Sequence, residues 1–246
     1  MSDKFISNKL TLIVLLSACT VILISMGLRQ TFGLFFQAFE DGLGCTRTEF
    51  GLAIGIQMIF WGIFSPLFGL FADKFGGNKA VFIGFVIFGF GIFMLYSGPN
   101  TGIFFQLSLG VLVGIALGAT AIAVPVSEVG KHFTDKNRTL ATGLVTAAAS
   151  FGYFLAPLLT KYSLGEVGWQ DTLKYFLYFI IFGSIVALFI LPAKNNSSEI
   201  QNQKNQTFIE ALKEAFSHRG YLLLVSGFFV CGFQITLVAT HIPGYM

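Results

Sequence analysis

Long apolar stretches separated by short polar segments dominate this sequence. A helix needs about 20 apolar residues to cross the roughly 30 Å hydrocarbon core of a bilayer, and seven stretches meet that requirement. We predict spans near 10–38, 50–72, 79–97, 102–127, 140–161, 172–192 and 220–245. None of them alternates apolar and polar residues at every second position, as membrane β-strands do. The pattern therefore predicts an all-α membrane protein.

The polar segments between the spans also carry structural signals. Residues 195–206 consist almost entirely of Asn, Gln, Ser, Lys and Glu, a composition typical of a solvated linker. Apolar residues then recur at helical spacing, at Phe208, Ile209, Leu212 and Phe216. This spacing predicts a short amphipathic helix on the membrane surface. The predicted domains are a six-helix half (1–192), a cytoplasmic linker with the amphipathic helix (193–219) and a seventh span (220–246).

Composition narrows the functional classes. Hydrophobic residues make up 54% of the 246 residues and charged residues 11%, whereas a soluble domain carries about 25% charged residues. The net charge of +3 indicates no nucleic-acid partner. Cys19, Cys45 and Cys231 have neither the spacing of a disulfide framework nor that of metal ligands. With no nucleophile–base pattern and no phosphate-binding loop, we predict no enzymatic activity, no metal and no cofactor.

The distribution of basic residues predicts the orientation in the membrane. If the N-terminus is cytoplasmic, only Arg47, Lys161 and Lys174 of the 15 Lys and Arg residues lie on the outer side, and Arg29 lies within the first span. Cytoplasmic loops carry an excess of Lys and Arg in membrane proteins. We therefore predict an integral multi-pass protein with a cytoplasmic N-terminus.

The segment between the second and third spans reads GLFADKFGGNK. It has a glycine, an acid four residues later, a base, a second glycine and a final base, at Gly69, Asp73, Lys74, Gly76 and Lys79. This spacing resembles the signature loop of the major facilitator superfamily, although Asn78 stands where a further base is common. The alternative is an ordinary charged turn at the membrane surface.

The resemblance implies a conformational latch, a set of contacts that forms and breaks as the transporter changes state. Asp73 can pair with a base on a neighbouring helix. Glu128, near the inner end of the fourth span, is expected to pair with Arg138 or Lys131 in the same latch rather than to carry a proton.

Glycines in the fourth and fifth spans indicate close helix packing. Gly110, Gly114 and Gly118 recur every four residues and predict one close-packing face. Gln106 stands where drug exporters of the superfamily typically carry an arginine, which argues against proton-coupled drug export. The fifth span, GLVTAAASFGYFLAP, is similar to the glycine–proline pattern of superfamily antiporters. A packing seam with a proline bend is the alternative explanation.

Three further segments resemble the branch that contains oxalate/formate antiporters and monocarboxylate permeases: GLRQTFGLFF in the first span, GW before the sixth and CGFQITLVATHIPGY in the seventh. That family usually has twelve spans, so we expect this chain to be an amino-terminal portion that needs a second half. The resemblance implies alternating-access transport of a small organic anion, a mono- or dicarboxylate, in the bacterial inner (plasma) membrane. Proton symport and anion exchange both remain open as driving forces.

Arg29 is the strongest candidate for binding substrate. An ionisable residue inside a span is a functional-site hypothesis by default. The guanidinium stays charged and can bind a carboxylate through two parallel hydrogen bonds. Phe32 and Phe36, at i+3 and i+7, are predicted to share its helix face and to line the site. Snorkelling to the interface is the alternative role for Arg29.

Four other polar residues inside the spans are weaker candidates for substrate binding: Gln57, Tyr153, Gln234 and His241. His241 could also relay a proton, because histidine titrates near neutral pH. Hydrogen bonds between helices are the alternative role for each of them. Two other functions stay open for the chain as a whole: transport of a neutral or cationic solute with Arg29 structural, and a non-transporting membrane subunit.

Overall fold

The computed structural model describes residues 9–98, 102–133, 135–190 and 208–241. Every regular element within these ranges is helical, so the predicted all-α fold class is confirmed. Contacts between residues divide the chain into two units, Met1–Ala193 and Lys194–Met246.

The first unit contains eight α-helices, a 3₁₀ turn at Phe32–Phe35 and a π-helical stretch at Gln106–Leu112. Its helices are α1 (Lys9–Thr31), α2 (Phe36–Leu43), α3 (Arg47–Phe75), α4 (Gly77–Ser97), α5 (Gly102–Phe105), α6 (Val113–Thr120), α7 (Ala123–His132) and α8 (Asp135–Ala187). The described part of the second unit contains α9 (Phe208–Ser217) and α10 (Arg219–His241).

Within the residues that the structure describes, six helical stretches are long and apolar enough to cross a membrane. They are Lys9–Leu43, Arg47–Phe75, Gly77–Ser97, Gly102–His132, Asn137–Ala187 and Arg219–Val238. The fifth has 51 residues and would be about 75 Å long if straight, far more than one crossing needs. It therefore supplies both the fifth and the sixth predicted spans.

α8 folds back on itself at Gly168, where the backbone is not helical (φ 80°, ψ 177°). The hydroxyl oxygens of Ser163 and Thr172 lie 2.8 Å apart across this point, although residues that far apart in a straight helix would be about 13 Å apart. Glycine adopts this positive φ without steric cost. Gly168 thus divides α8 into two arms, 135–167 and 169–187.

Helices continue beyond several of the predicted spans. The segment 161–171 was expected to be a polar connection, but the helix continues to residue 167 and is interrupted only at Gly168. The predicted connection after the fourth span is also largely helical, because α7 extends to His132 and α8 begins at Asp135. Apolar composition marks the part of a helix that lies in lipid, and polar helical turns beyond it carry no such signal.

Close helix contacts hold the first unit together. A β-carbon at Gly114 would lie 2.7 Å from the Gln57 carbonyl oxygen of α3, and one at Gly118 would lie 2.8 Å from the Phe64 β-carbon. The predicted packing face of the fourth span therefore lies directly against α3. A second seam joins α1 to α8, where a β-carbon at Gly152 would lie 2.5 Å from the Leu23 carbonyl oxygen.

Aromatic side chains pack together at the end of the first span that is remote from Lys9. Phe39 stacks on Phe35 at a centroid distance of 5.3 Å and contacts Phe105 and Trp169 edge-on at 5.5 and 5.7 Å. Edge-to-face aromatic pairs add about 0.5–1.5 kcal/mol beyond the burial of their surface. This cluster ties the 3₁₀ turn and α2 to the fourth span and to the second arm of α8.

The second unit consists, in its described part, of α9 and α10. α9 begins at Phe208, at the start of the predicted amphipathic segment. Phe216 and Tyr221 contact each other edge-on at a centroid distance of 5.8 Å across the junction of the two helices. The described side chains of α10 are mostly exposed.

Candidate functional site

Arg29 lies in the last turn of α1, just before the 3₁₀ turn, and its side chain is half-buried. Its Nη2 atom donates a hydrogen bond to the Met58 sulfur at 3.4 Å. The guanidinium carbon lies 4.9 Å from the centroid of the Trp61 ring. The guanidinium also interacts with the Tyr153 hydroxyl. The site therefore draws on α1, α3 and α8.

The charge of Arg29 is not balanced by a carboxylate in the described ranges, where the ion pairs involve Lys131 and Lys174 instead. Its Nε atom is buried and makes no hydrogen bond. A thioether is only a weak acceptor, and a cation–π contact contributes about 0.5–2 kcal/mol. The guanidinium is therefore a cation with weak partners, held within a membrane-spanning helix.

Gln30, next to Arg29, carries a second buried polar atom without a partner. Its Oε1 makes no hydrogen bond in the structure. Buried polar groups in folded proteins are nearly always hydrogen-bonded, and the exceptions need an explanation. Two adjacent residues, Arg29 and Gln30, thus present one unsatisfied donor and one unsatisfied acceptor.

Phe32 and Phe36, predicted to line the site, are buried in the core with 1% and 6% of their surface exposed. Phe36 packs edge-on against Phe50 at 5.4 Å, and the Arg47 guanidinium lies 5.3 Å from its ring centroid. The predicted shared face with Arg29 assumed a continuous α-helix. The 3₁₀ turn advances each residue by about 120° instead of 100°, which shifts Phe36 around the helix axis. A substrate contact for either phenylalanine stays a prediction.

Gln57 is 1% exposed and donates from Nε2 to the Leu109 carbonyl oxygen at 3.1 Å. Leu109 lies in the π-helical stretch Gln106–Leu112. The alternative predicted for Gln57, a hydrogen bond between helices, is therefore present. A role for Gln57 toward substrate stays a prediction.

The remaining candidates are distributed over both units. Tyr153 is half-buried on α8 and is the one predicted site residue that the structure places at the Arg29 guanidinium. Gln234 lies on α10 in the second unit and is exposed. The side chain of His241 lies outside the described residues.

Met58 and Trp61 are the partners of Arg29 that the sequence did not reveal. They are three residues apart on α3 and so share a helix face. In an apolar span, a methionine and a tryptophan at this spacing are indistinguishable from ordinary lipid-facing or packing residues. Only the contact between α1 and α3 identifies them.

An ion-pair cluster joins the end of α3 to α7. Lys131 Nζ lies 2.8 Å from Asp73 Oδ1 and 2.7 Å from Glu128 Oε1. The side chain of Glu128 is 2% exposed, whereas that of Asp73 is 64% exposed. A β-carbon at Gly77 would lie 2.6 Å from the Glu128 carboxyl carbon, so α4 begins directly against this carboxylate. Of the two expected partners of Glu128, Arg138 and Lys131, the structure pairs it with Lys131.

The other residues of the predicted latch lie around this cluster. Gly76 ends α3 with a φ of 100°, a conformation suited to glycine. Lys74 Nζ lies 5.2 Å from the Phe75 ring centroid, and Lys79 is exposed near the start of α4. These positions are consistent with a tight, charged reversal between α3 and α4.

Gly69 and Arg138 take no part in the ion pairs of the Asp73–Lys131–Glu128 cluster that the structure describes. Gly69 is inside α3, and a β-carbon there would meet nothing within 4 Å. Arg138 is exposed, and its Nε atom would lie 3.2 Å from a β-carbon at Gly130. Latch roles for these two residues stay predictions.

The described helices that are long and apolar enough to cross a membrane are those of a multi-pass membrane protein. The family model of the Major Facilitator Superfamily matches residues 18–246. The chain belongs to this superfamily.

Curated relatives agree with this membership. An uncharacterized MFS-type transporter, YcxA, of Bacillus subtilis (strain 168) is 25% identical over 226 residues, which is 87% of this chain and 52% of the relative. Monocarboxylate transporter 14 of Homo sapiens is 30% identical over 162 residues, 64% of this chain and 30% of the relative.

The name of a third relative gives a different substrate. The probable nitrate transporter NarT of Staphylococcus carnosus (strain TM300) is 26% identical over 161 residues, 63% of this chain and 39% of the relative. The chain spans about half the length of these relatives or less. All three are named as transporters, so the family places the chain among transporters and not among enzymes.

Proposed function

We propose that this chain takes part in the transport of a small organic anion, a mono- or dicarboxylate, and that Arg29 binds the anion. The observation that carries this proposal is the guanidinium itself, which lies in the first span with a thioether and an indole as neighbours. An unpaired charge in a low-dielectric environment is costly, and an anion that binds there offsets the cost.

The chemistry of arginine supports an oxyanion as the ligand. Its planar fork donates two parallel hydrogen bonds to the two oxygens of a carboxylate. Nitrate presents the same planar pair of oxygens, and it is therefore a second candidate substrate. The relatives named for monocarboxylate and for nitrate transport are in keeping with both candidates.

Alternating access in this proposal uses the Asp73–Lys131–Glu128 cluster as the latch. The cluster joins α3 to α7, and with a cytoplasmic N-terminus it lies at the inner face of a bacterial plasma membrane. The six-helix half forms one wall of the pathway. Because the matched part is 52% of YcxA and a smaller share of the other relatives, a second half is proposed to supply the opposite wall. Proton symport or anion exchange would drive the cycle.

Anion-dependent stabilisation tests the role of Arg29. We expect acetate, lactate, oxalate or nitrate to raise the unfolding temperature of the purified protein, because a ligand that binds only the folded state stabilises it. Arg29→Gln should abolish this rise. Arg47→Gln is the matched control, since Arg47 is an arginine beside an aromatic ring but lies near the start of α3. If Arg29→Gln responds to anions as the wild type does, the proposal is wrong.

A further inference from the structure

We infer that Met58 occupies the anion-binding edge of Arg29 when no anion is bound, so that its thioether is the internal competitor that sets anion affinity. This inference rests on the proposed function and deepens it by naming a residue that determines affinity. It also specifies how the anion approaches the guanidinium.

The hydrogen bonds of Arg29 identify the edge concerned. The N–H groups of Nε and Nη2 point in the same direction and form the side-on edge of the guanidinium fork. Nη2 donates to the Met58 sulfur at 3.4 Å, and Nε is buried without a partner. An edge that can hold two carboxylate oxygens therefore donates to the weak thioether acceptor, and the Tyr153 hydroxyl is a further neutral neighbour of the guanidinium.

Trp61 restricts the approach to this edge. Its ring lies over the guanidinium carbon at 4.9 Å and covers one face of the planar group. A ligand that binds both Nε and Nη2 must therefore lie in the plane of the guanidinium and offer two coplanar oxygens. Carboxylates and nitrate have this shape.

The side chain of Met58 has the properties expected of a competitor that a bound anion can displace. Methionine is unbranched and flexible, so it changes rotamer readily. Met58 is half-buried, and Trp61 lies one turn further along the same face of α3. The sulfur can therefore leave Nη2 while the indole keeps its position over the guanidinium.

The competition predicts an order of affinities when position 58 is changed. Met58→Leu removes the acceptor at similar volume, and anion binding should be several-fold tighter than in the wild type. Met58→Gln supplies a stronger neutral acceptor and should weaken binding about tenfold. Met58→Glu supplies a permanent carboxylate and should weaken binding about a hundredfold or more.

Isothermal titration of the purified chain with acetate, oxalate and nitrate tests this order, and Met94→Gln on α4 is the matched control. The expected result is that the dissociation constant rises from Leu to Met to Gln to Glu at position 58, while Met94→Gln binds as the wild type does. If Met58→Leu and Met58→Gln weaken binding equally, Met58 has only a packing role and the inference is overturned.

Arg29→Gln separates this failure from failure of the proposed function. If Arg29→Gln abolishes binding but the order at position 58 is not observed, Arg29 binds the anion and only the role of Met58 is wrong. If Arg29→Gln binds anions as the wild type does, the proposed function fails and the inference fails with it.

Discussion

Arg29 combines a full charge with neighbours that stabilise it only weakly. The Met58 sulfur lies 3.4 Å from its Nη2 atom, and the Trp61 ring centroid lies 4.9 Å from its guanidinium carbon. The Tyr153 hydroxyl is a third, neutral neighbour. The effective penalty for removing a charge from water is several kcal/mol, more than such neighbours return. A residue retained under these conditions is better explained by a ligand than by the stability of the anion-free protein.

This imbalance predicts that Arg29→Leu stabilises the anion-free protein. Replacing a poorly compensated charge with an apolar side chain should raise the free energy of unfolding by about 1 kcal/mol. Thermal unfolding in detergent, in buffers without small carboxylates or nitrate, measures the change. A clear loss of stability would indicate that Arg29 is a structural residue.

Cys45 gives a second prediction at the scale of a single residue. Burial, with smaller contributions from the charges of Glu49 and Glu40, raises the pKa of the Cys45 thiol to about 11. Only the thiolate reacts with alkylating reagents, so Cys45 should react roughly a hundredfold more slowly than a free thiol at pH 7.5. Its rate should keep rising with pH up to about 11.

Maleimide labelling of a Cys19→Ser, Cys231→Ser variant measures the reactivity of Cys45 alone. Labelling at pH 7.5 at the rate of free cysteine would contradict the prediction. Denatured protein labelled in parallel serves as the control, because unfolding removes the burial.

The sequence identified Arg29 and Tyr153 but not their surroundings. A charged residue in an apolar span is easily recognised in the sequence, because the residues around it are apolar. Met58 and Trp61 are apolar residues in an apolar helix, and their contact with Arg29 depends on how α1 packs against α3. The buried positions of Phe32 and Phe36 depend on a 3₁₀ turn that the residues themselves do not signal.

At the scale of elements, glycines determine which helices lie in contact. Gly110, Gly114 and Gly118 bring the fourth span against the backbone of α3. In a membrane, where lipid is as apolar as the helices, such close packing supplies much of the association energy.

Gly114→Ala tests this seam. The added β-carbon would lie 2.7 Å from the Gln57 carbonyl oxygen and 2.8 Å from the Phe60 β-carbon. Because backbone cannot yield as a flexible side chain does, we expect a loss of about 1–3 kcal/mol. Gly62→Ala in α3 is the control, since nothing lies within 4 Å of its added β-carbon and alanine favours helix by about 1 kcal/mol. Unfolding temperatures of the two variants should move in opposite directions.

The sequence was sufficient to predict where the helices lie and which helix faces pack together. It was not sufficient to predict where the helices change geometry. The four-residue spacing of the glycines in the fourth span predicted the face of that span that packs closely. The reversal at Gly168 falls within the predicted connection 161–171, but its sharpness does not follow from the sequence. Polar residues such as Lys161 and Glu166 suit a loop and a helix beyond the membrane equally well. The π-helical stretch at Gln106–Leu112 has no distinguishing composition.

At the scale of the whole molecule, the Asp73–Lys131–Glu128 cluster connects α3 to α7. Lys131 forms ion pairs with two carboxylates, that of Asp73, which is exposed, and that of Glu128, which is buried. Removing the base leaves the Glu128 charge buried and unpaired, which costs more than the loss of a surface pair.

Lys131→Ala is therefore expected to destabilise the protein by about 1–3 kcal/mol, and adding Glu128→Gln should restore most of the loss. Lys174→Ala is the control, because its pair with Asp171 is about half exposed and should leave stability unchanged. The measurement is thermal unfolding of the two single variants, the double variant and the control. Absence of rescue in the double variant would show that the two charges are not coupled.

The membrane-spanning architecture was the easiest feature to predict from the sequence, because the length and spacing of apolar stretches follow from the thickness of the bilayer. The loop with Asp73 and Lys74 predicted the family, to which residues 18–246 belong. The choice of Lys131 over Arg138 as the partner of Glu128 could not be made from sequence. Both bases lie within ten residues of Glu128, and only the folded contact selects one.

A structure of the protein with a bound anion tests most directly whether Arg29 binds the transported anion. The anion to use is the one among acetate, lactate, oxalate and nitrate that raises the unfolding temperature most. We expect two oxygens of the anion within hydrogen-bond distance of Arg29 Nε and Nη2, with the Met58 sulfur displaced from Nη2. An anion bound elsewhere, with Arg29 still donating to Met58, would contradict this expectation.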